Sequence, residues 1–194
     1  MLEIPHRVIP ADIDERAISG ATPREYALKT AFMKAGALDS QLPGGTIVLA
    51  ADTIVVLEDE VLHKPLDAAD ACNILAKISG KAHQVITALA VREVGRATEL
   101  DAVATDVKIR QVTQQQIRDY VATGEPMDKA GAYGIQGMGG KLVEQVLGDY
   151  FTVVGLPIDR MLLMLAHHID TSPYTAARRR LTPQRFAEAQ SAIQ

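Results

Sequence analysis

Ile47-Val48-Leu49-Ala50-Ala51-Asp52-Thr53-Ile54-Val55-Val56-Leu57 is an apolar, β-rich run interrupted by a carboxylate. Continuous Val, Ile and Leu mark a strand buried on both faces, as in sheets covered by helices. An unpaired carboxylate in such a strand would cost several kcal/mol. Asp52 therefore needs a metal, a cation or a ligand, or else it is a strand-end residue bonding backbone amides or a local lysine. Gly44-Gly45 precedes the run, and Glu58-Asp59-Glu60 turns it back into Val61-Leu62-His63-Lys64-Pro65, which predicts a hairpin. With the turn centred on Asp59, Ile54 lies opposite Lys64 and Asp52 one diagonal step away on the same face. A register change of one residue sends Lys64 to the other face.

Upstream, Thr22-Pro23-Arg24-Glu25 reads as a capping box with Pro at the first helical position, and a helix over 23–38 follows. Leu28, Ala31, Phe32 and Ala35 share its apolar face. Lys34 lies near the edge of that face, so its stem can pack while its ammonium reaches either solvent or a site. Downstream, Asp67 caps a helix over 67–79 with Ala71, Ile74, Leu75 and Ile78 inward and Gly80 as its stop. Strand-like segments cover 84–94 and 100–110. A capping box at Thr113 and Gln116 opens a helix with Ile117, Tyr120 and Val121 inward, ending before Gly124. The segments 143–147 and 150–154 read as a hairpin across Gly148-Asp149. Gly155-Leu156-Pro157 then starts a helix with Ile158, Met161, Leu162 and Leu165 inward. This order predicts an α/β, mixed α+β, fold with a partly antiparallel sheet. It divides the chain into a domain over 1–168 and a basic tail over 169–194, which carries Arg178-Arg179-Arg180 and a short helix after Thr182-Pro183.

Composition narrows the function. A chain of 194 residues fits one domain, and with 47% apolar but only 4% aromatic residues its core must be Ala, Val, Leu and Ile. The net charge of -4 argues against a nucleic-acid polymer as partner, and an anionic ligand would need local cations. The lone Cys72 excludes an intramolecular disulfide and a Cys-rich zinc cluster, and reads as helix packing. His167 and His168 are adjacent, hence on different helix faces, and lack metal-ligand spacing. With no signal-peptide h-region and no apolar stretch of membrane-spanning length, the expectation is a cytoplasmic protein without a membrane partner.

Gly131-Ala132-Tyr133-Gly134-Ile135-Gln136-Gly137-Met138-Gly139-Gly140 is the most glycine-dense stretch. It has neither the P-loop nor the dinucleotide-binding spacing. It is a loop folded around a ligand or a flexible connector, and the embedded Tyr133, Ile135 and Gln136 weigh against the connector.

Together, Asp12-Ile13-Asp14-Glu15, Lys34-Ala35, Ala51-Asp52-Thr53-Ile54-Val55, Lys64-Pro65 and Asp128-Lys129-Ala130-Gly131-Ala132-Tyr133-Gly134-Ile135-Gln136-Gly137 resemble the Maf family of nucleoside triphosphate pyrophosphatases. Ser79-Gly80-Lys81-Ala82-His83-Gln84-Val85 and Val153-Val154-Gly155-Leu156-Pro157 extend the match over about residues 7–165. The resemblance implies an elongated mixed sheet flanked by helices with a ligand cleft, as in inosine triphosphatases. It also implies hydrolysis of a nucleoside triphosphate between its α and β phosphates, with a divalent cation, Mg²⁺ or Mn²⁺, as cofactor. In that scheme Asp52 is the proton acceptor, Glu15 and Asp52 are metal-side carboxylates, and Lys34 and Lys64 face the phosphates. Thr53 and Gln136 match positions linked to substrate choice. The Gly-Ala-Tyr-Gly-Ile-Gln-Gly form of the loop resembles the dTTP/UTP branch more than the 7-methyl-GTP branch or a purine-directed inosine triphosphatase. A homodimer is implied as well.

Family members begin with a strand and a Ser-x-Ser-Pro-Arg-Arg loop that grips the phosphates, and this sequence starts after that place. The expectation divides between a start site placed too late and a shortened paralogue. The latter would have weakened catalysis and act as a nucleotide-binding regulator of cell division of the septum-formation-inhibitor type. Two lost charge-assisted phosphate contacts are worth about 1.5–3 kcal/mol each. The missing strand would also open a sheet edge.

Overall fold

A computed structural model describes residues 3–15, 18–20 and 22–178. The apolar run forms β1, Ile47–Leu57. It pairs antiparallel with β3, Ala82–Glu93, from Ile47↔Glu93 to Val56↔Gln84. Strand β2, Glu60–Leu62, flanks its other side, while β4, Thr98–Ile109, and β5, Val143–Leu147, continue the sheet in the order β2-β1-β3-β4-β5. Every pairing among the described residues is antiparallel.

Alternation along β1 decides which helix covers which face. Ile54 and Val56 meet α1, Pro23–Gly36, in a cluster with Ala27, Ala31, Ala35, Ile86, Ala88 and Ala90. Val55 and Leu57 point the other way, toward α2, Ala68–Ile78, and α3, Gln114–Val121. Further along that second face, Leu89 and Val91 pack against Phe151 of α4, Tyr150–Val154, and against Ile158 and Met161 of α5, Ile158–Leu165. Both faces of β1 are thus helix-covered, as its continuous apolar sequence requires.

The α2 stripe of Ala71, Ile74, Leu75 and Ile78 is buried as expected, with Asp67 accepting from the Asp70 N–H. Cys72 is half-buried beside this core. Both halves of the Thr113–Gln116 capping box form. A final helix α6, Ser172–Arg178, follows α5. The helix expected after Thr182-Pro183 lies outside the described residues. Among the described residues no helix is long and apolar enough to cross a membrane.

Three expectations are corrected. The buried stripe of α1 is Ala27, Thr30, Ala31 and Ala35, whereas Phe32 is 46% exposed and Leu28 only half-buried. Small side chains on α1 meet Ala88 and Ala90 on the sheet, and this close alanine contact leaves no room for a phenyl ring. The β1–β2 hairpin pairs Val55↔Leu62 and Leu57↔Glu60, so its turn is the two residues Glu58 and Asp59, both at positive φ (57 and 112). That register, continued, would set Lys64 opposite Thr53 in place of Ile54, and the ladder ends at Leu62. Finally, 150–154 is helical, because the Asp149 carboxylate caps the Phe151 and Thr152 N–H groups at 3.2 and 3.0 Å. The β propensity of Tyr, Phe, Thr and Val yields to that cap and to burial of Phe151.

β2 pairs with β1 only over Val55–Leu57. Among the described residues the outer edge of β1 over 47–54 has no strand partner, and a cleft opens there.

Candidate active site

Position 34 falls two helical turns after Ala27 on the side of α1 that faces the sheet, so its side chain is carried over β1 at Asp52. The Lys34 Nζ donates to Asp52 Oδ1 at 2.7 Å and meets Glu15 Oε1 at 2.8 Å. Asp52 is only 8% exposed. The cation that the apolar run demanded is therefore Lys34, with Glu15 bridging from the segment before α1.

The electrostatics follow from this arrangement. Burial pushes the Asp52 carboxyl above the usual carboxylate range, with Glu15 adding to the rise, while hydrogen bonding and charge from Lys34 and the more distant Lys64 oppose it. Burial works against the Lys34 ammonium, yet its bonds to Asp52 and Glu15 hold its pKa above the ordinary lysine value.

Lys64 reaches the same cleft from the chain leaving β2, and it is exposed there. Thr53 points to the opposite face of β1, where its Oγ1 lies 2.9 Å from the Thr87 Oγ1. It still borders the cleft, which wraps around the open β1 edge. Gln136 lies on the glycine-rich loop at the far wall, with Tyr133, Gly134 and Gly137. Glu15, Lys34, Asp52, Thr53, Lys64 and Gln136 thus line one cleft of about 2050 Å³.

The loop is held from beneath. Glu125 accepts from the Met138 N–H at 2.8 Å, the Gly139 N–H at 2.9 Å and the Tyr120 hydroxyl at 2.8 Å. The Tyr120 oxygen in turn accepts from the Gly134 N–H at 3.1 Å. Buried His83, whose Nε2 lies 2.8 Å from the Tyr133 hydroxyl, anchors the loop's other side. Burial lowers the His83 pKa to about 4 despite the opposing charge of Asp106, so the imidazole is neutral at pH 7. Gln136 is therefore carried on a braced loop.

Glu125→Ala removes the acceptor shared by two backbone donors and a phenol. It is expected to lower stability by about 2–3 kcal/mol, since bonds to a charged group are worth about 1.5–3 each and this carboxylate is half-exposed. Urea unfolding would measure it, and Glu125→Gln should lie between the two.

Sequence reading missed Tyr26 and His63, which border the cleft with ring centroids 6.1 Å apart in an edge-to-face contact. It also missed Glu125 and Thr87. For Thr87 a signal existed, because a hydroxyl inside Val85-Ile86-Thr87-Ala88-Leu89 is the same kind of polar break as Asp52.

For a metal, the described residues contain no group of three or more His, Cys, Asp or Glu side chains that could enclose an ion. His167 instead sits 2.8 Å from Glu99. Glu15 and Asp52 form a two-carboxylate oxygen set, which fits Mg²⁺ or Mn²⁺, ions that take one or two protein carboxylates and leave other positions to phosphate and water.

A helix-covered antiparallel sheet whose open edge gathers a lysine-bridged pair of carboxylates defines an α/β protein with a charged ligand cleft. The family model for Maf-like proteins matches residues 1–168, and the chain belongs to the Maf family. A protein of Syntrophomonas wolfei named dTTP/UTP pyrophosphatase is 46% identical over 166 residues, spanning 85% of this chain and 87% of that relative. One of Anaeromyxobacter dehalogenans with the same name is 50% identical over 159 residues, spanning 80% of this chain and 79% of the relative. Another from Yersinia pestis is 45% identical over 170 residues, spanning 87% and 85%.

Proposed function

We propose that this chain is a dTTP/UTP pyrophosphatase, which converts a pyrimidine nucleoside triphosphate and water into the monophosphate and pyrophosphate. The observation that carries the reading is the buried Asp52 carboxylate, bonded to Lys34 at 2.7 Å in a cleft that Gln136 also lines. Relatives at 45–50% identity bear the name of this activity.

In this mechanism Asp52 accepts the proton of the attacking water as its oxygen bonds to the α-phosphorus. The bond to the bridging oxygen then breaks, and pyrophosphate leaves. Desolvation strengthens Asp52 as a base by raising its proton affinity. Lys34 and Lys64 offset the charge of the triphosphate, which carries about four negative charges in a reaction where positioning and electrostatics do most of the work. Glu15 and Asp52 would hold a divalent cation, whose chemistry when bound is neutralisation of phosphate charge. The Gln136 amide N–H groups can donate to a carbonyl on the imide edge of uracil or thymine.

The test is pyrophosphate release from dTTP, UTP, CTP and 7-methyl-GTP with Mg²⁺ or Mn²⁺. Release from dTTP and UTP in preference to the other two is expected, and Gln136→Ala should erode that preference. Nucleotide binding with no release at high enzyme concentration would overturn the enzyme reading in favour of a binding regulator. We also infer a cytoplasmic homodimer, whose mass light scattering would measure.

A further inference from the structure

Thr53, Thr87 and Thr152 form a chain whose proton directions are fixed by chemistry. The Thr87 Oγ1 lies 2.7 Å from the carbonyl oxygen of Thr152, and a carbonyl can only accept. Two oxygens at that distance attract only with a proton between them, so the single Thr87 proton goes to Thr152. Thr87 is completely buried, and no solvent competes for it. The Thr53 Oγ1, 2.9 Å from Thr87, must then be the donor in that bond. Its one proton is consumed on the buried side. The oxygen keeps lone pairs for a ligand in the cleft that Thr53 borders.

Gly155 keeps that oxygen within reach, since a Cβ there would lie 3.3 Å from the Thr53 Oγ1. Thr53, Val154 and Gly155 all border the cleft. An oxygen that accepts without donating selects a ligand group that donates. On the pairing edge of uracil or thymine the donor is N3–H, flanked by two carbonyl acceptors. Cytosine has an acceptor at N3, which would face the Thr53 lone pairs.

We propose that Thr87, through its bond to the Thr152 carbonyl, locks Thr53 as an acceptor for the base N3–H and so makes the cleft prefer uracil and thymine over cytosine. Thr87 is a positioning residue here, acting through Thr53 without touching ligand. The inference rests on the dTTP/UTP reading above and adds the source of its discrimination.

The experiment compares UTP with CTP for wild type, Thr87→Val, Thr87→Ser and Thr53→Val, by kcat/KM and by calorimetric affinity for the non-hydrolysable α,β-imido analogues. Valine keeps the shape of threonine and deletes the bond, freeing the Thr53 hydroxyl to rotate and donate. Thr87→Val should shrink the UTP-to-CTP ratio about tenfold or more, chiefly through KM, because sites built around a specific hydrogen bond discriminate strongly against analogues that lack it. Thr87→Ser restores the hydroxyl and should restore the ratio. Thr53→Val, which changes the exposed end and leaves the buried one in place, should lose it too. A purely structural role would scale UTP and CTP together, and an unchanged ratio in either valine variant overturns the proposal. So does a Thr53→Val that weakens dTTP but not its 3′-deoxy analogue, since Thr53 would then serve the sugar. Absence of pyrophosphate release by wild type counts against the enzymatic reading alone, while the imido analogues still decide the role of Thr87.

Discussion

Replacing Asp52 by asparagine is expected to lower kcat/KM for dTTP by about 10³-fold, within the 10²–10⁴ that general acid–base catalysis typically contributes. The substitution is chosen because it leaves the packing around it in place. Asparagine has the same shape, its carbonyl oxygen can still accept from Lys34, and Glu15 still neutralises the ammonium at 2.8 Å. The melting temperature should therefore move by only a few degrees while pyrophosphate release collapses. A variant keeping more than about a tenth of wild-type activity would falsify the assignment of Asp52 as proton acceptor.

The same carboxyl gives a pH measurement that needs neither metal nor substrate. Burial holds Asp52 protonated to higher pH than an exposed aspartate, against the pull of Lys34. Followed by carbon NMR of labelled aspartates in the metal-free protein, its titration should fall above the ordinary range. Lys34→Met removes the nearest stabiliser of the anion and should move it higher still. Glu15→Gln removes a repelling charge and should move it lower. Opposite displacements separate the two partners, which a simple loss of activity could not do.

Most of the layer structure was legible because it follows from local rules. Asp67, Thr113 and Gly80 signal helix ends by their own chemistry, and the stripes of α2 and α5 follow the helical period. Asp52 was legible as an anomaly, a charge that a doubly covered strand cannot leave unpaired. What escaped depended on distant partners. Phe32 looked like core until the sheet opposite α1 proved to be built of Ala88 and Ala90, and no local pattern reveals how closely a helix will approach. The 150–154 stretch has strand composition, and its fate turned on the Asp149 carboxylate finding two amides. The hairpin register rested on the choice of a two-residue turn, with Glu58 and Asp59 accepting positive φ that glycine would take more readily. The clamp from Glu125 spans 13 positions to Met138, and the threonine chain from Thr53 to Thr87 spans 34, so neither has a sequence period to betray it.

Gly131→Val is expected to give the largest loss of stability, about 3–5 kcal/mol by urea unfolding. Two costs combine at this position. Its φ of +69 lies in the left-handed region, where a β-branched residue is strained by about 1–3 kcal/mol. A Cβ there would also lie 2.8 Å from both γ-carbons of Val55, a residue only 3% exposed in the middle of the core beneath the loop. Overpacking of that kind typically costs about 1–3 kcal/mol more. The two contributions can be separated. Gly95 has a φ of +92 with open space where its Cβ would go, so Gly95→Val should lose only the backbone part. Val55→Ala in the Gly131→Val background should return some of the steric part, so that the double variant loses less than the two single variants added together. Function should follow stability here. The Gly131 N–H donates to the His63 carbonyl at 3.3 Å, which joins the glycine-rich loop to the chain entering Lys64. A bulkier residue forces the loop away from β1, displacing Gln136 and the segment after β2 that presents Lys64 in one movement. The KM for dTTP and UTP should therefore rise in Gly131→Val even at temperatures where the variant is fully folded, and in Gly95→Val it should not.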